Sequence, residues 1–131
     1  MRRRIAARLA VAVAAPIARL SPHRLGRTLR VLRRGARPAT GQQALAAREA
    51  VVHVSVRCAG QACLQRSVAT ALLCRMAGAW PDWCTGVRIK PFRAHAWVEV
   101  DGKPVGEPDD TRFFHPVMSV PANRRQRRPG S

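Results

Sequence analysis

A change in hydrophobic period near the middle of the chain limits the fold more than any other feature of this sequence. In residues 62–78, ACLQRSVATALLCRMAG, apolar side chains recur every four positions. This spacing predicts a helix with one apolar face that begins at or near Cys63. After a turn predicted at residues 80–83, the period becomes two. Residues 94–100, AHAWVEV, alternate as a half-buried strand does.

Helices are predicted before this change and strands after it. Residues 5–19 and 23–34 alternate aliphatic side chains with arginine at helical spacing. Thr40 and Gln43 have the form of a capping box, which predicts a third helix that ends near Val56. The predicted fold class is therefore α+β, with N-terminal helices and the central helix packed on a small antiparallel sheet.

The two ends of the chain are predicted to lie outside its main domain. The amino terminus begins MRRR and continues into an Ala/Val/Leu stretch, as a secretory signal does, but Arg8 and Pro16 interrupt that stretch. We therefore expect a packed or surface-lying helix there. The predicted division is a basic helical segment at 1–38, a domain at 39–120 and a basic, disordered tail at 121–131.

Positive charge dominates the composition. The chain has 24 basic and 7 acidic residues, a formal net charge of +17, and residues 1–48 hold twelve arginines and no carboxylate. Such a surface suits nucleic acid, anionic lipid or acidic partners. Nucleic acid is not expected, because three Trp, three Phe and no Tyr offer few stacking platforms. We expect a solvated arginine face, with docking to an acidic partner or a membrane surface as its further role.

Cys63 is the strongest candidate for chemistry. A thiol in the first turn of a helix has a lowered pKa, because unpaired backbone N–H groups and the helix dipole favour the thiolate. A thiolate nucleophile needs a histidine as its proton partner, and that histidine needs an acceptor on its other nitrogen. The simpler interpretation is a small buried side chain. The strand that carries His95 favours catalysis instead.

The hairpin after His95 decides whether this histidine meets a carboxylate. A two-residue turn at 101–102 would leave His95 and Glu107 on opposite faces of the sheet. A three-residue loop over 100–102, with a left-handed glycine, reverses the parity and pairs His95 with Glu107. We predict this register because it also sets opposite charges across the strands. Asp109 is the second choice of acid.

No metal site or cofactor is predicted from the cysteines. Cys58, Cys63, Cys74 and Cys84 are separated by five, eleven and ten residues, which lack the close pairs usual for zinc. A domain of this aliphatic content would gain little from disulfides. We therefore expect reduced thiols and a cytoplasmic protein.

The segment from Cys63 to Glu107 resembles a known family. The matching stretches are CLQRSVATALLCRMAG and GVRIKPFRAHAWVEVDGKPVGE. They resemble the leader peptidases of lasso-peptide biosynthesis, the microcin-processing branch of the transglutaminase-like, papain-like cysteine hydrolases, over residues 40–120. The resemblance implies a cysteine endopeptidase with Cys63 as nucleophile, His95 as base and Glu107 as third member. Founding members usually have aspartate at that third position.

The resemblance also implies a substrate and partners. The enzyme would cut the leader from a ribosomally made precursor, so that a cyclase can close the lasso ring. This chain is expected to lack the winged-helix recognition domain of some relatives, so a separate recognition protein would deliver the leader. Gln61 is a candidate oxyanion donor and Trp97 a candidate pocket wall. Acyl transfer to an amine uses the same residues and stays open, and a non-catalytic basic binding module is the alternative.

Overall fold

The computed structural model describes residues 2–55, 62–89, 92–108, 111 and 113–123. Its helices are α1 (Arg2–Ala18), α2 (Pro22–Arg33), α3 (Gly41–Val54) and α4 (Cys63–Met76). Its strands are β1 (Arg37–Pro38), β2 (Ala79–Trp80), β3 (Asp82–Ile89), β4 (Phe92–Val100), β5 (Lys103–Pro104) and β6 (His115–Val120). The predicted α+β class is confirmed.

Helix α4 is the centre of the fold. It begins at Cys63, as its apolar period predicts, and Gly78 with a φ of 83° follows its C-cap. Every residue from Arg66 to Cys74 is buried, because α1 and α3 pack against this helix along with strand β4. Cys63 therefore stands at the start of a helix whose central residues are all buried.

Helix α3 begins with the predicted capping box. The Thr40 hydroxyl accepts a hydrogen bond from the Gln43 backbone N–H, and the Gln43 side chain accepts one from the Thr40 N–H. The helix ends at Val54, and its predicted end near Val56 lies outside the described residues. The tail predicted to be disordered lies outside them from position 124 onward.

A four-stranded antiparallel sheet has the order β5-β4-β3-β6, and β1 pairs with β2 in a separate parallel ribbon. Two buried tryptophans on these strands form hydrogen bonds to other elements of the fold. Trp83 on β3 donates its indole N–H to the Ser67 hydroxyl of α4 at 3.0 Å. Trp80 on β2 donates to the Val120 carbonyl of β6 at 3.0 Å. The sheet is thus held at a fixed distance from the helix that carries Cys63.

The turn predicted at residues 80–83 is wrong. Trp80 belongs to β2, and β3 begins at Asp82. Trp80 and Trp83 are both fully buried. Burial of two large indole rings outweighs the local turn preference of the intervening Pro-Asp pair.

The predicted hairpin register is also wrong. Val100 pairs with Lys103, so the loop has two residues rather than three. Asp101 and Gly102 have φ values of 54° and 79°, as a type I′ turn requires. This turn matches the twist of the flanking strands. Strand β5 ends at Pro104, which lies opposite Glu99 of β4.

Candidate active site

The Cys63 thiol meets a histidine at the start of α4. Its N-cap residue is Ala62, whose side chain can accept no hydrogen bond, so the first-turn N–H groups are left for other partners. Hydrogen bonds with the His95 side chain and the Ala96 backbone lower the pKa of the Cys63 thiol, and the charges of His95 and Arg66 add to them. Together they outweigh burial, which acts in the opposite direction.

His95 lies between the thiol and a carboxylate. It sits on β4 opposite Gly86 of β3, and its Nε2 is 2.6 Å from Oε1 of Glu107. Nδ1 is therefore the ring nitrogen that can face the Cys63 sulfur. The hydrogen bonds to Cys63 and then to Glu107 raise the pKa of His95 to about 9. At neutral pH this arrangement favours a thiolate beside an imidazolium.

Glu107 reaches His95 by a route that the predicted register did not include. Val105 still donates its N–H to the Val98 carbonyl at 2.9 Å, but Gly106 then takes the left-handed conformation, with a φ of 67°. Because of this kink, Glu107 no longer follows the alternation of the strand, and its side chain lies on the same face as His95. The two side chains therefore meet, although the hairpin register that led to the prediction is wrong.

Arg48 on α3 is part of the site, although no sequence pattern marked it. Its Nε donates to Oε2 of Glu107 at 3.2 Å, and the Glu107 side chain is only 3% exposed. A Cβ at Gly106 would lie 2.7 Å from the Arg48 Cδ, so glycine there makes room for the arginine stem. Burial raises the pKa of the Glu107 carboxyl, but the His95 hydrogen bond and the Arg48 charge outweigh it, and that pKa is lowered.

Aromatic rings support His95 from inside the protein. Trp97 stacks on it with ring centroids 5.7 Å apart and planes 16° apart, and Phe114 lies 5.6 Å away. Trp97 is 2% exposed and donates its indole N–H to Glu99 at 2.8 Å. A Cβ at Gly86 would lie 2.8 Å from the Trp97 ring, so this glycine allows the stack. Trp97 thus braces the histidine and is not among the described residues that line the neighbouring cavity.

An uncharged groove leads away from the thiol. A cavity of about 290 Å³ lies beside Cys63 and His95, and a second of about 440 Å³ shares Leu64, Thr85 and Val117 with it. Among the described residues, the linings contain no lysine, arginine or carboxylate. The remaining lining residues are Leu20, Pro22, Leu25, Gly86, Val87, Ala94, Ala96 and Met118. In a chain of charge +17, this groove is a part of the described surface suited to an uncharged peptide segment.

Two of the predicted site residues, Gln61 and Asp109, lie outside the described residues, as does Cys58. Cys74 and Cys84 are free thiols, and burial raises the pKa of each to about 12. Such thiols are poor nucleophiles at neutral pH. Cys63 is the one cysteine in the described part of the chain with a lowered pKa.

The family model described as the transglutaminase-like superfamily matches residues 7–119. The chain belongs to this superfamily, which includes cysteine proteases and transglutaminases. No curated protein and no solved structure matches it. The match agrees with the observed helices and four-stranded antiparallel sheet, and it makes a catalytic thiol at Cys63 consistent with the fold.

Proposed function

We propose that this protein is a cysteine endopeptidase that cuts the leader from a lasso-peptide precursor at the leader–core junction. The observation that carries the proposal is the hydrogen-bonded series from Cys63 through His95 to Glu107 at the start of a buried helix. Membership of the transglutaminase-like superfamily supports the cysteine chemistry. The resemblance of residues 63–107 to lasso leader peptidases supports the choice of substrate.

In the first step, the Cys63 thiolate attacks the carbonyl carbon of the scissile peptide bond. Negative charge moves to the carbonyl oxygen, which the backbone N–H of Cys63, in the first turn of α4, would stabilise. When the tetrahedral intermediate collapses, the C–N bond breaks and the His95 imidazolium gives its proton to the departing nitrogen. The core peptide leaves with a free amino terminus, and the leader stays on sulfur as a thioester.

In the second step, neutral His95 accepts a proton from water as the water oxygen attacks the thioester carbon. Breaking of the C–S bond releases the leader as a carboxylic acid and returns Cys63 as thiolate beside imidazolium. Glu107 keeps the imidazole ring oriented through both steps and stabilises its charged form. Arg48 in turn holds the second carboxylate oxygen.

The substrate would lie along the uncharged groove beside Cys63 and His95. The leader would be delivered by a separate winged-helix recognition protein, and the freed core would pass to a lasso cyclase. The cytoplasmic location expected from the cysteines remains a prediction.

Two measurements test the proposal. Intact-protein mass spectrometry after brief iodoacetamide treatment at pH 7 should show one rapidly alkylated thiol, lost in Cys63→Ala and kept in Cys84→Ala. Mass spectrometry of a lasso precursor incubated with this protein and a recognition protein should show a single cut, absent with Cys63→Ala.

The product masses separate the remaining alternatives. A leader that gains one water establishes hydrolysis, whereas a leader that carries added cadaverine would replace hydrolysis by acyl transfer. A precursor that is bound but never cut, by a protein with a reactive Cys63, would disprove the leader-peptidase proposal. An unreactive Cys63 in a folded protein would favour the non-catalytic basic module.

A further inference from the structure

Helix α1 carries its bulky apolar side chains on the outside. Ile5, Leu9 and Val13 are 57%, 54% and 50% exposed, and their spacing of four places them in one row along the helix. The inner face, which packs against α4, is instead formed by the buried alanines Ala7, Ala10 and Ala14. An ordinary surface helix has the opposite arrangement, with bulky apolar residues inward. The outer row is therefore an apolar surface that no other described part of the chain covers.

Arginines run beside this row. At about 100° per residue, Arg8 falls on one flank of the row and Arg19 follows on the same side. The Arg4 guanidinium instead contacts the His53 ring of α3 at 3.4 Å. All three are exposed. The first carboxylate of the chain is Glu49, so no acidic side chain within α1 or α2 neutralises them. Helix α2 extends the positive surface with exposed Arg24, Arg27 and Arg30.

We propose that α1 lies flat on an anionic phospholipid surface, with Ile5, Leu9 and Val13 inserted among the acyl chains. The flanking guanidinium groups of Arg8 and Arg19 bind lipid phosphates. Long arginine stems let the charge stay at headgroup level while the aliphatic tips go deeper. Each arginine near an anionic leaflet adds attraction. Among the described residues no helix is long and apolar enough to cross a bilayer.

Other occupants fit the row less well. Nucleic acid offers nothing to three exposed aliphatic side chains. A protein partner would need an acidic groove shaped to a convex helix, whereas a lipid surface requires no such match. The row runs from residue 5 to residue 13, eight steps of about 1.5 Å or roughly 12 Å, so binding is expected to be reversible and to depend on both apolar contact and charge.

The surface is separate from the chemistry of Cys63. None of the three aliphatic residues lines the cavities beside the thiol. Their removal should therefore change lipid binding and leave cleavage in solution unaltered, which keeps this proposal independent of the proposed function.

The test is co-sedimentation of the full chain with sucrose-loaded vesicles, made either of phosphatidylcholine alone or of phosphatidylcholine with phosphatidylglycerol. We expect strong partitioning only to the anionic vesicles, and at least a tenfold loss in the triple variant I5S/L9S/V13S. The matched control is V31S/L45S/I89S, which removes one valine, one leucine and one isoleucine that are also exposed. It should bind as wild type does. Arg8→Gln should weaken binding less than the aliphatic triple variant.

Three outcomes would overturn the proposal. Equal partitioning of both triple variants would show that charge alone drives binding. Equal binding to neutral and anionic vesicles would remove the role of the arginines. No binding to anionic vesicles would leave an acidic protein as the occupant. Circular dichroism shows whether each variant is folded, and the single variant Leu9→Ser repeats the test with the smallest change.

Discussion

Helix α4 carries a thiol near each of its ends, and the pKa values of these two thiols are shifted in opposite directions. Cys63 in the first turn has a lowered pKa, whereas burial raises the pKa of Cys74, in the last turns of the same helix, to about 12. At the first end, His95 donates a hydrogen bond and Arg66 adds positive charge. At the other end the thiol is 4% exposed in the hydrophobic core. Surroundings rather than residue type decide which thiol can react.

Removal of His95 should abolish this difference and give the largest effect. In His95→Ala the Cys63 thiol loses the hydrogen bond and charge that lower its pKa. Peptide cleavage should fall roughly a thousandfold or more, since both ion pair and general acid are lost. Iodoacetamide labelling of Cys63 at pH 7 should slow as well. His115→Ala, which removes an exposed histidine, is the control, and an equal loss there would contradict the assignment.

Arg48→Met should have the next largest effect. The methionine keeps the apolar stem but loses the charge that, after the larger effect of the His95 hydrogen bond, helps to hold the Glu107 pKa down. Glu107 then takes up a proton at higher pH. The pH below which cleavage is lost, the acid limit of activity, therefore moves upward. We expect cleavage at pH 7 to fall about tenfold, a loss of about 1.4 kcal/mol in transition-state stabilisation.

The pH profile separates this role from simple destabilisation. Arg48→Lys should restore the wild-type acid limit in part. Arg75→Met removes an arginine that bonds only backbone carbonyls among its described contacts, those of Leu32 and Arg34. It should lower thermal stability without moving the limit. An unmoved limit in Arg48→Met would show that the arginine is structural.

High pH should weaken the reaction through His95 alone. Its pKa is raised to about 9, so the imidazolium is present below that pH and lost above it. Cleavage of peptide should therefore fall about tenfold for each pH unit above 9. A p-nitrophenyl ester, whose leaving group needs no proton, should keep its acylation rate over the same range. A parallel fall for both substrates would mean that the protein unfolds instead.

Cys74→Ala should give the smallest change. This thiol takes no part in the proposed reaction, so cleavage should stay within about twofold of wild type. The free energy of unfolding should fall by about 1 kcal/mol, because a buried sulfur is removed from the core. Cys63→Ala should do the reverse, ending cleavage at little cost in stability. Denaturant titration of both variants checks the contrast, and a strong loss of activity in Cys74→Ala would break it.

The parts of the fold set by local pattern could be predicted from the sequence, and the parts set by distant contacts could not. Helix α4 and its start at Cys63 follow from a repeat contained in the helix itself. The hairpin register does not, because both loop lengths satisfy the local rules. The left-handed kink at Gly106 brings Glu107 to His95. A side chain at position 106 would collide with Arg48, which lies 59 residues before Glu107 in the sequence. Arg48 itself looks like any solvated helical charge until its partner is known.

The uncharged groove would limit which segments of its own chain the proposed peptidase can cleave. Away from Cys63 and His95, the described residues that line the groove carry no charge. A charged substrate side chain there would lose part of its hydration without a counter-ion among these residues. Under the proposed peptidase activity, the arginine-rich stretches at 2–4 and 124–128 of this chain are expected to be poor substrates. The same uncharged lining that is proposed to favour the precursor would then also protect these stretches from cleavage by another copy of the chain.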